Sequence, residues 1–254
     1  MRIELHRGWA VRFPENTMAA FAGAQAAGYD MIELDPRYTA DGCCVILHDP
    51  TINRTGRDKN GNAPAEPMPI HEITLAQAQG YEYGSWFAPE FAGEKLPELK
   101  TVLDFAAEKR IPFKFDNIWN AFSVQEQATF LADIACSPAK AYCELTCRTA
   151  EAVKTAIDAL PSVKIHYDGP WNSMVKAELM ELIPMERLTV WRRLDNPCTA
   201  WCSVPPITAE DAEDIHTCAL LGLWLLKEPE ELAQAAAFDA DIVETDGSLP
   251  PNGK

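Results

Sequence analysis

Met31-Ile32-Glu33-Leu34-Asp35 ends an apolar run on two carboxylates, and Val45-Ile46-Leu47-His48-Asp49 ends another on a histidine and an acid. Each stretch reads as a short buried strand that stops at polar residues. Positions two apart along a strand share a face, so Glu33 and Asp35 present two carboxylates on one side. A third strand-like start, Ile3-Glu4-Leu5-His6, ends in a histidine. Early strands that deliver His, Glu/Asp and His at their C-terminal ends imply metal-assisted chemistry at the mouth of an α/β sheet or barrel.

The alternation continues along the chain. Further strands are expected at 111–115, 141–145, 163–167, 188–191, 219–224 and 241–245. Between them lie helical patterns. Asn16 or Thr17 can cap a helix that runs to Gly28, and Leu99, Val102, Leu103 and Ala106 make one apolar stripe within 97–109. Others fall at 123–135, 150–160, 173–182, 209–218 and 229–238. Strand–helix alternation over the whole length means a parallel sheet. The 254 residues match a single (β/α)8 domain spanning 1–254, a fold that typically takes about 250. One segment, 51–94, breaks the rhythm. It is rich in Gly, Pro, Asn and charge, and carries the aromatics Tyr81, Tyr83, Trp86, Phe87 and Phe91. It reads as an insertion after the His48 strand, on the side where the chemistry lies.

Bulk composition narrows the function. A formal net charge of −16 argues against duplex nucleic acid and anionic membrane surfaces as partners. It leaves a small phosphate ester open, because a divalent cation and local basic residues reverse the sign where it matters. No run approaches the roughly 18 uninterrupted apolar residues of a membrane span, so no stable membrane insertion is expected. With no leader-like segment before the first strand, the protein is expected in the cytoplasm. None of the eight cysteines forms a C-x-x-C pair; Cys43/Cys44, Cys143/Cys147 and Cys198/Cys202 read as free, buried thiols. Apolar helix faces would serve a barrel exterior or a dimer equally well, which leaves a homo-oligomer open.

A spaced set of motifs then names a family. His6-Arg7-Gly8, Pro14-Glu15-Asn16-Thr17, Ala20-Phe21, Gly28, Ile32-Glu33-Leu34-Asp35, Asp41-Gly42, His48-Asp49-Pro50-Thr51 and Arg54-Thr55 occur in order. Together they resemble the glycerophosphodiester phosphodiesterases. Gly84-Ser85-Trp86-Phe87, Phe91-Ala92-Gly93-Glu94 and Leu96-Pro97 look like that family's insertion and its exit. Trp224, Pro229-Glu230-Glu231-Leu232, Thr245-Asp246 and Pro250 look like its last strands. The stretch from about Cys136 to Cys218 is weakly matched. The resemblance implies a TIM (β/α)8 barrel with a small insertion after an early barrel strand, a divalent cation, and hydrolysis of glycerophosphodiesters to an alcohol and glycerol 3-phosphate. It also implies attack by the substrate's own glycerol hydroxyl, giving a cyclic phosphate that water opens.

Roles follow residue by residue. His6 and His48 are the expected acid–base pair, since imidazole titrates near neutrality. Arg7 offers a planar fork to phosphate oxygens. Glu33 and Asp35 supply hard oxygen donors for Mg²⁺ or Ca²⁺. The family usually carries a Glu followed two residues later by a Lys on the strand after the insertion. Here Phe113-Lys114-Phe115-Asp116-Asn117 inverts that order. Asp116 is then the expected third ligand, and Lys114 a deeper partner of a carboxylate or of the phosphate. Trp224 would wall the substrate pocket. Asn16 serves as a helix cap or beside the site with Glu15. Glu144, His166 and Asp168 line the pocket or lie in the core, Asp246 fixes a loop, and His71 and His216 have no role. Competing functions are a lysophospholipase D-like enzyme, with the aromatic segment as its apolar surface, and a non-catalytic barrel that binds a phosphate ligand.

Overall fold

The computed structural model describes residues 1–195 and 204–251. Eight parallel strands close a barrel: β1 (Arg2–Leu5), β2 (Met31–Leu34), β5 (Phe113–Phe115), β6 (Cys143–Cys147), β7 (Lys164–Tyr167), β8 (Leu188–Arg193), β9 (Leu220–Leu226) and β10 (Ile242–Thr245). Their order around the barrel is β1-β10-β9-β8-β7-β6-β5-β2. β3 (Pro36–Tyr38) and β4 (Cys44–Ile46) stand outside it as a separate antiparallel pair. The helices are α1 (Met18–Ala27), α2 (Leu75–Ala78), α3 (Leu99–Lys109), α4 (Val124–Cys136), α5 (Ala150–Ala159), α6 (Ser173–Leu182), α7 (Ala209–His216) and α8 (Pro229–Ala237).

Local chemistry sets the helix ends. The Thr17 hydroxyl accepts from Ala20 N at 3.3 Å and caps α1, while Gly28 ends it at φ 87°, a left-handed position that glycine adopts without a Cβ penalty. α4 begins with a capping box between Ser123 and Glu126. The Leu99, Val102, Leu103 and Ala106 stripe of α3 is fully buried, as its spacing requires. Pro97 lies just ahead of the cap residue Glu98 rather than inside the helix.

Strand alternation sorts two very different faces. Leu5, Ile32, Phe113, Leu145, Ile165, Val190, Leu221 and Val243 join the helices in one apolar core. Phe113 meets Phe21 of α1 edge-on at 5.3 Å, and Phe115 meets Phe130 of α4 the same way at 5.3 Å. Full burial of each such side chain stabilises by roughly 1.5–3 kcal/mol. Barrel positions one residue away are ionisable and also buried: Glu4, Glu33, Lys114, Glu144, His166 and Glu244.

The Val45–Leu47 stretch is not a barrel strand. Pro36 follows Asp35 directly and has no N–H with which to extend the ladder, so the chain leaves the barrel there. It runs into a hairpin with the register Pro36↔Ile46 and Tyr38↔Cys44, turned at Gly42 (φ 79°). The excursion from the barrel therefore begins fifteen residues before the expected insertion at 51 and takes in the His48 strand as well. It has a core of its own, made of Val45, Leu47, Ile52, Ile70, Ile73, Ala78, Tyr83 and Leu96. Leu47 N donates to Asp35 O at 2.8 Å, which ties the hairpin's end back to the mouth of the barrel.

Six described cysteines are free thiols. Cys44, Cys143, Cys147 and Cys218 are buried, but Cys136 is exposed, at the end of α4, and Cys43 is half-buried. Cys198 and Cys202 lie outside the described residues. Among the described residues no helix is long and apolar enough to cross a membrane.

Candidate active site

His6 leaves the end of β1, and its backbone N donates to Thr245 O at 2.8 Å. The next two residues turn sharply, with φ 60° at Arg7 and 81° at Gly8. A Cβ at Gly8 would meet the Ala20 Cβ at 2.8 Å, so the turn and the seating of α1 both require glycine. The turn aims Arg7 N at Glu33 Oε2 (2.9 Å). The Arg7 guanidinium meets Glu15 Oε1 at 3.1 Å and lies 3.6 Å from Asp35 Oδ2. Asn16 does not cap α1. Its Nδ2 donates to Asp35 Oδ2 at 2.7 Å, from a left-handed backbone at φ 54°. Burial lowers the pKa of His6, against the opposing charges of Glu244 and Asp35.

His48 arrives from the hairpin. Arg37 of β3 holds it by donating through Nε to Leu47 O (2.9 Å) and His48 O (3.0 Å). Its Nδ1 lies 2.7 Å from Asp49 Oδ1, which leaves Nε2 as the nitrogen facing a substrate. Arg54 links the two halves of the site, donating through Nε to Asp49 Oδ2 at 2.7 Å and through Nη1 to Glu15 Oε2 at 2.8 Å. Burial alone would raise Asp49, but the bonds from Arg54 and His48 outweigh it and hold it down at about 2. Glu15 is lowered in the same way, burial being outweighed by Arg54 and Arg7.

Three carboxylates face the same space. Asp116 N donates to Leu34 O at 2.9 Å, which sets Asp116 beside Asp35 at the strand ends. Burial, then the charges of Asp35 and Asp168, push Asp116 up to about 7. Burial, Asp35 and Asp116 push Glu33 well above the usual carboxylate range. Glu33 and Asp35 are each tethered through one oxygen, to Arg7 N and Asn16 Nδ2. Among the described residues no group of three or more His, Cys, Asp or Glu side chains is arranged to hold an ion as the side chains stand. The donor set nevertheless suits a hard cation: oxygen ligands only, crowded enough that Asp35 raises the pKa of Glu33 and of Asp116, a repulsion that a divalent charge would reverse.

Lys114 sits one layer deeper. Its ammonium pairs with Glu4 and lies 3.0 Å from Glu244 Oε2, and it stands 3.9 Å above the Trp191 ring. Burial disfavours the ammonium, but Glu244 and Glu4 more than restore it, so its pKa is raised. Glu244 is held at about 2, burial being outweighed by Lys114 and His6, whereas burial raises Glu4 well above its usual range. Beneath them Trp191 Nε1 donates to His166 Nδ1 at 2.8 Å, and His166 Nε2 meets Glu144 Oε2 at 2.7 Å. A Cβ at Gly222 would come within 2.6 Å of the Trp191 ring, so glycine on β9 makes room for the indole. Burial keeps His166 neutral down to about 4, despite Glu144.

One cavity of about 700 Å³ opens at the C-terminal ends of the strands. It gathers every site residue the sequence singled out: His6, Arg7, Glu33, Asp35, His48, Lys114, Asp116 and Trp224. Asp168 and Thr146 also line it, while Glu144 and His166 lie below it in the barrel. None of the aromatics from Tyr81 to Phe91 reaches it. Phe87 packs on Phe91 and Phe91 on Phe13, and Trp86 Nε1 donates to Tyr83 O. Asp246 pairs with Lys227 outside the cavity, and His71 is exposed. The sequence reading passed over Glu4, Glu244, Arg37, Arg148 and Trp191, and assigned no role to Asp49 and Arg54. For Asp49 a signal was present, since a carboxylate beside a strand-end histidine is a natural orienter. For Glu4 and Glu244 only an acid inside an apolar strand pattern hinted at a buried partner.

A closed parallel barrel with a polar cavity at its C-terminal mouth is the class of protein that fold and site define, a (β/α)8 barrel. The glycerophosphoryl diester phosphodiesterase family matches residues 6–191, and the chain belongs to that family. A glycerophosphodiester phosphodiesterase of Caldanaerobacter subterraneus is 38% identical over 104 residues, 41% of this chain and 40% of that protein. One of Bacillus subtilis is 35% identical over 107 residues, 39% of this chain and 34% of the relative. The chain thus spans about two fifths or less of these curated relatives' length. Among solved structures, an Oleispira antarctica phosphodiesterase in complex with the product sn-glycerol-3-phosphate superposes with a TM-score of 0.75 at 18% identity, covering 98% of this chain and 94% of that one. A glycerophosphodiester phosphodiesterase of Thermotoga maritima gives 0.67 at 19%, covering 97% and 94%. At such identities these structures bear on the fold alone.

Proposed function

We propose that this chain is a metal-dependent phosphodiesterase, acting in the cytoplasm, that hydrolyses glycerophosphodiesters to an alcohol and glycerol 3-phosphate. The observation that carries the proposal is the single cavity shared by two imidazoles, Arg7 and three crowded carboxylates. Burial keeps His6 neutral, so His6 is the base that takes the proton from the attacking glycerol hydroxyl. As the hydroxyl oxygen bonds to phosphorus, the bond to the leaving alcohol breaks, and His48 gives that oxygen its proton through Nε2. Water then opens the cyclic phosphate with the two roles exchanged. Arg7 neutralises charge on the phosphate oxygens, and Glu15 and Asp35 fix its position. A bound Mg²⁺ or Ca²⁺, held by Glu33, Asp35 and Asp116, would polarise phosphate oxygens and favour the alkoxide. The lysophospholipase D-like reading has less support, because none of the aromatics from Tyr81 to Phe91 lines the cavity. A barrel that only binds phosphate would have no need for a buried neutral imidazole facing a tethered one. The test is to assay glycerophosphodiesters with Mg²⁺, Ca²⁺ and a chelator. Release of glycerol 3-phosphate that stops with the chelator is expected. No release with either cation would refute the activity.

A further inference from the structure

The wall of the cavity opposite His6 carries Thr146, Arg148 and Asp168, three polar groups that the proposed chemistry leaves without a task. β7 lies four strands from β1 in either direction around the closed barrel, so Asp168, just past β7, faces His6 across the mouth. Thr146 of β6 and Arg148, just past β6, stand beside it, and Asp168 N donates to Cys147 O at 3.2 Å. The bonding here is incomplete. Thr146 is 3% exposed, yet its Oγ1 has no hydrogen-bond partner. Asp168 Oδ2 accepts from Asn117 Nδ2 at 2.5 Å, but Oδ1 is shielded from water and accepts nothing. The Arg148 guanidinium only approaches Oδ1, at 4.0 Å, too far for a hydrogen bond. Buried polar atoms without partners are rare and point to a missing ligand or water.

The chemistry of the three groups selects what fills the space. Oδ1 can only accept, Arg148 can only donate, and Oγ1 can do both. A trimethylammonium group has no N–H for Oδ1 and brings a positive charge beside Arg148. A primary ammonium serves Oδ1 but meets the same guanidinium. A hydroxyl both donates and accepts, and carries no charge, so vicinal hydroxyls match all three groups at once. Resting on the phosphodiesterase reading above, we infer that the leaving alcohol is a polyol, such as glycerol, inositol or a sugar, and that Thr146, Asp168 and Arg148 select it.

The experiment compares kcat/KM for glycerophosphoglycerol, glycerophosphoinositol, glycerophosphoethanolamine and glycerophosphocholine. The polyol esters are expected to lead the choline ester by about tenfold or more, and Thr146→Val and Asp168→Asn each to reduce that ratio by about tenfold, because a site built to bond hydroxyls discriminates strongly against a ligand lacking them. A wild-type preference for the choline or ethanolamine ester, or a ratio unmoved in both variants, overturns the inference. If the wild type hydrolyses none of the four, the activity fails. The inference is then read from calorimetric binding of the same intact diesters. Tighter binding of the polyol esters that Thr146→Val abolishes supports it, and equal or absent binding overturns it.

Discussion

On one side, at the mouth of the barrel, the charged groups stand at strand ends and in the loops and hairpin that follow; on the other, one layer down, they lie between the strands. His6, Glu33, Asp35 and His48 face one cavity; Asp49 next in the chain holds His48, while the bonds from Asn16 to Asp35 and from Arg7 N to Glu33 span 19 and 26 residues. Glu144, His166 and Trp191 lie within the barrel, and their bonds span 22 and 25 residues; Lys114 reaches Glu244 across 130. The first side is arranged so that protons can move, since its carboxylates repel and its imidazoles face open space. The second pairs its charges with one another, Lys114 with Glu4 and Glu244, and Glu144 with Arg2 and Lys164. One barrel thus holds a reactive rim above a locked interior, and substitutions should separate the two.

The largest separation is expected at the rim. His48→Ala removes one of the two proton carriers while touching no barrel strand. Turnover of a glycerophosphodiester should fall by about 10³-fold, within the range for loss of a general acid. The far-ultraviolet circular dichroism and the urea midpoint should match the wild type. Activity within tenfold of wild type would remove His48 from the reaction.

Interior substitution should do the reverse. Lys114→Met strips the counter-charge from Glu4, which is fully enclosed, and from Glu244, which is buried at the floor of the cavity. Removing one partner of a buried ion pair destabilises by about 3–5 kcal/mol. Urea unfolding should show a loss of that size, and a loss under 1 kcal/mol would mean that Glu4 and Glu244 share a proton instead.

The rim was legible in the sequence because most of its residues come in short motifs, His6-Arg7, Glu33-Leu34-Asp35 and His48-Asp49. Eight strand expectations match barrel strands for the same reason, as each apolar run is short and bounded by turn residues. The hairpin was not legible. Val45-Ile46-Leu47 has the apolar character of a barrel strand, and only Pro36 marks that the chain has left the ladder. The interior network was not legible either. A glutamate at position 4 announces nothing until β5 and β10 bring Lys114 and Glu244 beside it, and the indole of Trp191 has room only because residue 222, far along the chain, is glycine.

A pH titration sharpens the contrast further. His166 has a folded pKa near 4, below its ordinary value near 6.5. The unfolded chain therefore binds a proton between these values that the folded one refuses, and stability falls as pH drops from about 6.5 to 4. The loss is roughly 3 kcal/mol at most. Glu144, held at about 2, adds to the loss as the pH falls further below the ordinary carboxylate range. Urea midpoints measured from pH 7 to 4 should decline in the wild type and decline less in His166→Gln. Equal slopes would place the acid sensitivity elsewhere.

The last effect runs the opposite way and returns to the rim. Asp116 has a folded pKa of about 7, above the ordinary 3.8, because of burial and its neighbours Asp35 and Asp168. A raised carboxyl favours the folded state below its unfolded pKa, and that contribution is lost as pH rises through 7. At pH 8 in chelator the charged group is therefore a liability, and Asp116→Asn should be more stable than the wild type, by roughly 4 kcal/mol at most, since the shift spans about three pKa units worth about 1.4 kcal/mol each. Near pH 4 the two should coincide. Saturating Mg²⁺ should raise the melting temperature of the wild type more than that of the variant, because only the wild type regains favourable charge at that position. A variant less stable than wild type in chelator at pH 8 would show that Asp116 holds the loop through its bond to Ile118 N more than it repels its neighbours.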